Sequence, residues 1–351
     1  MMRLLSYYRD KPQRLFYTVV GLVLFCFLSW KTFHLVYEAE LFAKLVHNPD
    51  HRMTPQQFTG LNSDHIRSTR EADAFPEQDF NIVFLGDSFV YGFLLPQESM
   101  APPAQLEHIL REQYHRDDIN VANFGWTSSS PLLSLRLLKD IGKKYHPDLI
   151  LLALDMSDYR DEWFYRAVLH PKGIYQWVVK WPRCLFFFKR LLEALSPLTD
   201  WHTRLFGYSG EGGYFVARQP LSASRPLFEA VYHSLQDIND VAKTLPAPFV
   251  VFVPPRHWQY TDKEAIDSWE NGGFDVMGPY ALENYRYFAG QQPPFALVPM
   301  LDDFRETTLF PLNFRVDSHW NKQGARFFAE RVAWHLQQQG LLTALQPPAS
   351  P

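Results

Sequence analysis

This chain of 351 residues contains little cysteine and has no excess of positive charge. Only Cys26 and Cys184 occur, and Cys26 lies in an apolar N-terminal run. The sequence therefore predicts no intrachain disulfide and offers no cysteine cluster for zinc. A formal net charge of −4 gives no reason to expect nucleic acid as a partner. Repeats and long low-complexity tracts are absent too, and 46% hydrophobic residues provide ample core for one large domain or two smaller ones.

The longest apolar segment lies near the N-terminus. Residues 15–30 contain no charged side chain, and the apolar character continues past Lys31 to Tyr37, which suffices for a bilayer that needs about 20 residues. Four basic residues precede this segment against one acidic residue, Asp10, so the positive-inside tendency keeps the N-terminus in the cytoplasm. We predict cytoplasmic residues 1–14, a retained transmembrane signal-anchor over 15–37, and a single-pass inner-membrane protein with its main domain on the periplasmic or extracellular side. A buried amphipathic helix is the alternative.

From residue 80 onward, short apolar runs alternate with amphipathic helical patterns. Such alternation predicts an α/β domain with a central parallel sheet and right-handed crossovers, over residues 80–345. The predicted strands are 80–85, 119–124, 148–154, 248–253 and a short one at 296–299; the predicted helices begin at Pro102 or span 131–145, 228–245 and 323–338.

Two segments do not follow this alternation. Residues 38–79 form a polar, mostly irregular connector with some helix. Residues 163–220 form an insertion rich in Trp, Phe and basic side chains. The insertion could be an interfacial helix on the membrane, a cap that shapes the active-site pocket, or a helical segment whose aromatic residues are core.

A candidate nucleophile follows the first strand. Residues 82–85 are apolar and lead into Gly86, Asp87 and Ser88, and a glycine lets the backbone turn sharply at the carboxyl end of a strand. Ligands of open α/β sheets bind at that end, so a serine there is a candidate nucleophile if a base reaches it. The alternative is a turn in which Asp87 and Ser88 only cap the next segment. In both cases we expect Asp87 to brace the turn through nearby amides.

A candidate base lies near the C-terminus. His319 comes just before the last predicted helix, and Asp317 lies two residues upstream, where it could orient the imidazole. A metal site made of Asp87, Asp317 and His319 is a poor alternative, because the clustered spacing of metal ligands is lacking.

Together these motifs resemble the SGNH (GDSL-like) hydrolase superfamily, and residues 119–158 resemble a membrane-anchored bacterial branch of it. The resemblance implies a flavodoxin-like three-layer sandwich around a parallel sheet. The matching blocks are Gly86-Asp87-Ser88, Asn123-x-Gly125 and Asp317-x-His319, with Asn62-Ser-x-x-x-Arg67 ahead of the first strand.

The resemblance also implies roles for single residues. Ser88 would attack an ester carbonyl, His319 would take its proton, and Asp317 would steady the imidazolium. The amides of Ser88 and Gly125 would hold the oxyanion together with Ser157, which stands where the family has Asn. No metal or organic cofactor is implied.

Three functions follow as hypotheses. The first is a membrane-anchored esterase that acts on O-acyl esters of cell-envelope carbohydrate or lipid through an acyl-enzyme. The second is an O-acyltransferase that modifies envelope polysaccharide. The third is a non-catalytic binding protein on the same fold.

Overall fold

The computed structural model divides the chain into two compact units, residues 1–47 with 167–207 and residues 48–166 with 208–351. Residues 38–59 of the predicted connector and residues 170–214 of the predicted insertion lie outside the described residues. The structure describes residues 13–14, 16–29, 60–169, 215–268, 270–271 and 277–345.

The described part of the predicted anchor is helical over residues 16–29, and its apolar side chains are exposed, with Phe25 at 71%. Residues 30–37 of the anchor lie outside the described residues. Among the helices that the structure describes, none combines the length and the apolar character that crossing a bilayer requires. The transmembrane assignment therefore stays a prediction.

A parallel five-stranded sheet forms the centre of the second unit, in the order β2-β1-β3-β4-β5. This arrangement confirms the predicted α/β class with its central parallel sheet, including the short fifth strand. The strands are β1 Phe80–Gly86, β2 Ile119–Gly125, β3 Leu149–Ala153, β4 Phe249–Val253 and β5 Ala296–Pro299.

Helices cover both faces of the sheet and complete three layers. Alternate residues of β1 point to opposite sides, because side chains alternate along a strand. Ile82 and Phe84 are buried with residues of α2 and α8, whereas Val83 and Leu85 are buried with residues of α3 and α5. The helices are α1 Ser88–Tyr91, α2 Pro102–Tyr114, α3 Pro131–Ile141, α4 Asp158–Leu169, α5 Leu221–Thr244, α6 Glu283–Ala289, α7 Leu301–Glu306 and α8 Lys322–Gln338.

Four of these helices were not predicted, for two physical reasons. The helices α1, α6 and α7 span only four to seven residues, too few for a helical period to stand out. Helix α4 buries polar side chains, among them Asp158 and Glu162, so its inward face does not show as an apolar stripe.

Candidate active site

The nucleophile turn is held at the carboxyl edge of the sheet. Gly86 ends β1 beside Gly125 of β2, and α1 begins two residues later at Ser88. The Asp87 side chain caps this one-turn helix by accepting a hydrogen bond from the Phe89 amide at 2.9 Å. The prediction that Asp87 braces the turn is confirmed by this bond, and Ser88 is left half-buried at the first helical position.

The structure brings Ser88, His319 and Asp317 together across 231 residues of sequence. The Ser88 Oγ lies 2.7 Å from His319 Nε2, and His319 Nδ1 lies 2.5 Å from Asp317 Oδ1. The same Asp317 oxygen accepts a hydrogen bond from the His319 amide at 2.9 Å. These contacts orient the imidazole between a hydroxyl and a carboxylate, which is the arrangement that activates a serine.

Two phenylalanine rings enclose the imidazole. Phe89 stacks on the His319 ring with 4.7 Å between ring centroids, and Phe93 approaches it at 5.0 Å. Both residues belong to the turn and loop that follow Ser88, so the same segment carries the nucleophile and the walls around the base.

The Asp317 carboxylate is set up to remain ionised. Burial acts to raise the pKa of Asp317, but the hydrogen bonds from the His319 ring and amide outweigh it, so its pKa lies below the ordinary value. An ionised partner at Nδ1 favours the tautomer in which Nε2 is free to accept a proton.

A buried arginine that sequence reasoning missed links the loops around the site. Arg256, only 4% exposed, donates from Nε and Nη2 to the two oxygens of Asp155 at 2.7 and 2.6 Å. Its Nη1 donates to Glu270 at 3.0 Å and to Ser318 Oγ at 2.7 Å. The guanidinium also lies 4.5 Å from the centroid of the Phe89 ring. Arg256 therefore connects the loops after β3 and β4 with the neighbours of both Ser88 and His319.

One signal in the sequence could have identified Arg256. It follows β4 and the pair Pro254-Pro255 directly, at the same carboxyl edge where Ser88 leaves β1. A charged residue that follows a wholly buried strand at this edge is a reasonable candidate for the site.

Gly125 occupies its predicted place, but its amide is engaged. The Gly125 N–H donates a hydrogen bond to the Asn123 side-chain oxygen at 3.0 Å. A Cβ added at Gly125 would overlap the backbone of Val90 and Tyr91. The close passage of β2 past the nucleophile turn therefore requires a glycine at this position.

Ser157 is also engaged elsewhere. Its hydroxyl and its amide both donate to Asp155 Oδ2, at 2.7 and 2.8 Å. A serine hydroxyl has one proton to donate, so in this arrangement Ser157 supports the carboxylate that holds Arg256 and is not available to an oxyanion.

No hydrogen-bond acceptor is found among the described residues for two backbone amides that follow β1 and β2. The first is the amide of Ser88, at the start of α1, where intrahelical acceptors are missing. The second is the amide of Ser128, an exposed residue after β2 whose φ of 54° places it in the left-handed region.

Buried carboxyl groups beside the site hold their protons to unusually high pH. Burial, followed by the charge of Asp155, raises the pKa of Asp87 to about 8, although Arg256 acts against it. Burial likewise raises the pKa of Asp161 to about 7 and that of Asp158 well above its ordinary value. Asp155 is the exception, because the adjacent Arg256 outweighs burial and lowers its pKa.

Comparisons with known proteins give structural neighbours but no matching family. No family model matches the chain, and no curated protein matches it. The structure is similar to TesA, with 14% identity, 74% of this chain and 98% of that chain covered, and a TM-score of 0.42.

Two further neighbours are esterases. One is an acetylxylan esterase from Geobacillus stearothermophilus, with 15% identity, 74% and 94% coverage and a TM-score of 0.40. The other is the psychrotrophic esterase EstA from Pseudoalteromonas sp., with 14% identity, 74% and 100% coverage and a TM-score of 0.36. Similarities this weak carry no inference about activity, so the chemistry has to be judged from the geometry of the site.

The raised pKa of Asp87 predicts a stability that falls as the pH rises. Between its ordinary pKa and about 8, the folded chain holds a proton on Asp87 that the unfolded chain has lost. The free energy of unfolding should therefore decrease across this window. Asp87→Asn, which can still accept the Phe89 amide, should reduce that decrease by on the order of a few kcal/mol. Urea unfolding of both proteins at about pH 5 and about pH 8 measures the decrease in the free energy of unfolding. An equal decrease in the wild type and in Asp87→Asn would contradict the prediction.

Removing the buried cation should destabilise the fold. Arg256→Met leaves Asp155 and Glu270 buried without their partner, and we expect a loss of about 3–5 kcal/mol in the free energy of unfolding. Arg326→Met, which breaks the exposed pair with Glu330, should change it little. Urea unfolding of both variants measures the difference, and similar losses would disprove the central role of Arg256.

Proposed function

We propose that this protein is a serine ester hydrolase of the SGNH type that works through an acyl-enzyme. The observation that supports it is the chain of contacts from Ser88 Oγ through His319 to Asp317, at 2.7 and 2.5 Å. A hydroxyl, an imidazole and a carboxylate in this order form the nucleophile, base and orienting group of acyl transfer.

The proposed reaction follows from these positions. As Ser88 Oγ bonds to the ester carbonyl carbon, His319 Nε2 takes the hydroxyl proton, and Asp317 stabilises the resulting imidazolium. The tetrahedral intermediate collapses when the alcohol leaves with the proton from Nε2, and Ser88 stays acylated. Water then attacks the acyl carbon with His319 as base, and the acid is released as Oγ regains its proton.

The developing oxyanion needs donors that do not have to move during the reaction. We assign this role to the Ser88 amide and propose the Ser128 amide as its partner, because both are unengaged among the described residues and follow neighbouring strands at one edge. Gly125 and Ser157 are left out of the proposed oxyanion hole, since their donors are already engaged.

We extend the proposal to O-acyl esters of cell-envelope carbohydrate or lipid as substrates. The support is the family resemblance together with the apolar N-terminal segment, which would hold the domain near the envelope. If a sugar hydroxyl instead of water reaches the acyl-enzyme, the same chemistry makes the protein an O-acyltransferase.

Phosphonate labelling tests the nucleophile. An organophosphonate ester added to membranes that contain the full chain should modify Ser88, detected by peptide mass spectrometry. Ser88→Ala should abolish labelling and lower esterolysis by on the order of 10⁴–10⁶, and adding His319→Ala should cost little more, because the two residues act as a unit.

The exposed Ser99 provides the control, since Ser99→Ala should label normally. Labelling that persists in Ser88→Ala would refute the assignment, and an unlabelled wild type with intact biological function would favour a non-catalytic binding protein. Faster release of the alcohol when a glycan acceptor is added would identify the transferase.

We also propose that the N-terminal segment anchors the protein in the inner membrane with residues 80–345 outside the cytoplasm. The exposed apolar side chains of helix 16–29, such as Leu22 and Phe25, support a lipid environment. The wild type should stay in the membrane pellet after alkaline carbonate extraction, and Leu22→Asp with Phe25→Asp should release it. Release of the wild type, or protection of the domain from protease in permeabilised cells, would refute the topology.

A further inference from the structure

The segment ahead of β1 is folded onto the second unit. Residues 60–75, which we call the strap, begin with an antiparallel bridge between Leu61 and Arg67. The Asn62 side chain donates from Nδ2 to the Arg70 carbonyl and to the Tyr145 hydroxyl, both at 2.9 Å. The strap therefore has a defined conformation and place on the domain, although it lies outside the sheet.

Arg67 is the residue of the strap that reaches the nucleophile turn. It is buried, with 7% exposure, and its guanidinium lies 4.9 Å from the centroid of the Tyr91 ring. Nη1 donates to the carbonyls of Tyr91 and Gly92 at 2.9 and 2.5 Å, and Nη2 donates to the Leu95 carbonyl at 2.5 Å. All three hydrogen bonds found for this side chain among the described residues go to backbone oxygens.

A cation suits this position for electrostatic reasons. The last carbonyls of a helix lack intrahelical donors and carry the negative end of the helix dipole. Gly92 ends α1 with a φ of 81°, and a Cβ there would come within 3.0 Å of Arg67 Nη1. The glycine thus provides both the left-handed turn and the space for the guanidinium.

The three carbonyls belong to backbone that positions both reactive groups. Tyr91 and Gly92 close the turn that starts at Ser88, and the Phe93 amide donates to the Ser88 carbonyl at 2.9 Å. Phe93, whose ring lies 5.0 Å from that of His319, lies in the chain between Gly92 and Leu95. A single guanidinium therefore holds the nucleophile turn and both ends of the loop that packs on the base.

We propose that Arg67 is a positioning residue that aligns Ser88 with His319, so that the strap is part of the active site. This proposal rests on the proposed function for its catalytic consequence. Arg67 is buried and its three hydrogen bonds go to backbone carbonyls, so we assign it no contact with the substrate but an effect through α1 and Phe93.

Arg70 provides a matched control on the same strap. Its guanidinium donates to the Asn120 side chain at 2.9 Å and to Glu107 at 2.5 Å, on β2 and α2. Removing Arg70 therefore weakens the attachment of the strap without removing a hydrogen bond to the nucleophile turn.

The test compares Arg67→Met, Arg67→Lys and Arg70→Met in the full chain. For each we would measure the rate constant of Ser88 phosphonylation, kcat and KM for an ester, the Tm, and hydrogen exchange of the peptide covering residues 88–95. Arg67→Met should lower phosphonylation and kcat by about 100-fold, as a misplacement of about 1 Å does, with KM little changed. Arg67→Lys should be intermediate, because one ammonium cannot bridge the three carbonyls, and it is the variant to measure if Arg67→Met does not fold.

Arg70→Met should lower the Tm but react close to the wild-type rate. If both variants lose the same reactivity per folded molecule, Arg67 is a structural residue only and the proposal fails, whereas the enzyme assignment stands. If the wild type is not phosphonylated, the proposed function fails, and hydrogen exchange decides whether Arg67 holds the nucleophile turn. Faster hydrogen exchange over residues 88–95 in Arg67→Met alone supports this role of Arg67, and equal exchange in all variants overturns it.

Discussion

The active-site edge of this protein depends on one buried cation, Arg256, held between Asp155 and Glu270. A charge removed from water is tolerated only when its partners are in place, so loops that share a buried ion pair cannot move independently. Through Ser318 and the Phe89 ring the same guanidinium reaches the chain neighbours of His319 and Ser88. The distance between Ser88 and His319, which are remote in sequence, is thereby controlled by a buried ion pair as well as by the sheet.

Nearby carboxyl groups that retain their protons also affect the charge at this edge of the sheet. An oxyanion that forms beside several ionised carboxylates would be strongly disfavoured. Burial raises the pKa of Asp87 to about 8, so this group is mostly neutral at pH 7, and it also raises the pKa of Asp158 well above its ordinary value. The adjacent Arg256 lowers the pKa of Asp155, which is therefore ionised. The edge thus carries less negative charge than its composition suggests, which is compatible with the proposed acyl transfer.

Much of the architecture could be predicted because its signals are local. Short, mostly apolar segments that end at Gly86 and Gly125 identify buried parallel strands, and parallel strands bring their carboxyl ends to one edge. The roles of Gly125 and Ser157 could not be predicted in the same way. Their positions follow from the strands, but the direction in which a side chain or amide donates depends on neighbours such as Asn123 and Asp155.

The sequence by itself determined the succession of the five strands with helices α2, α3, α5 and α8, the placing of Ser88 and His319 at chain reversals, and the apolar N-terminal segment. These properties depend on hydrophobic period and turn chemistry, which involve residues close together in the chain. Only the tertiary structure decided which groups Arg256 and Arg67 bind. Each binds groups that belong to other loops, and a buried guanidinium finds its acceptors only after the sheet has brought those loops together.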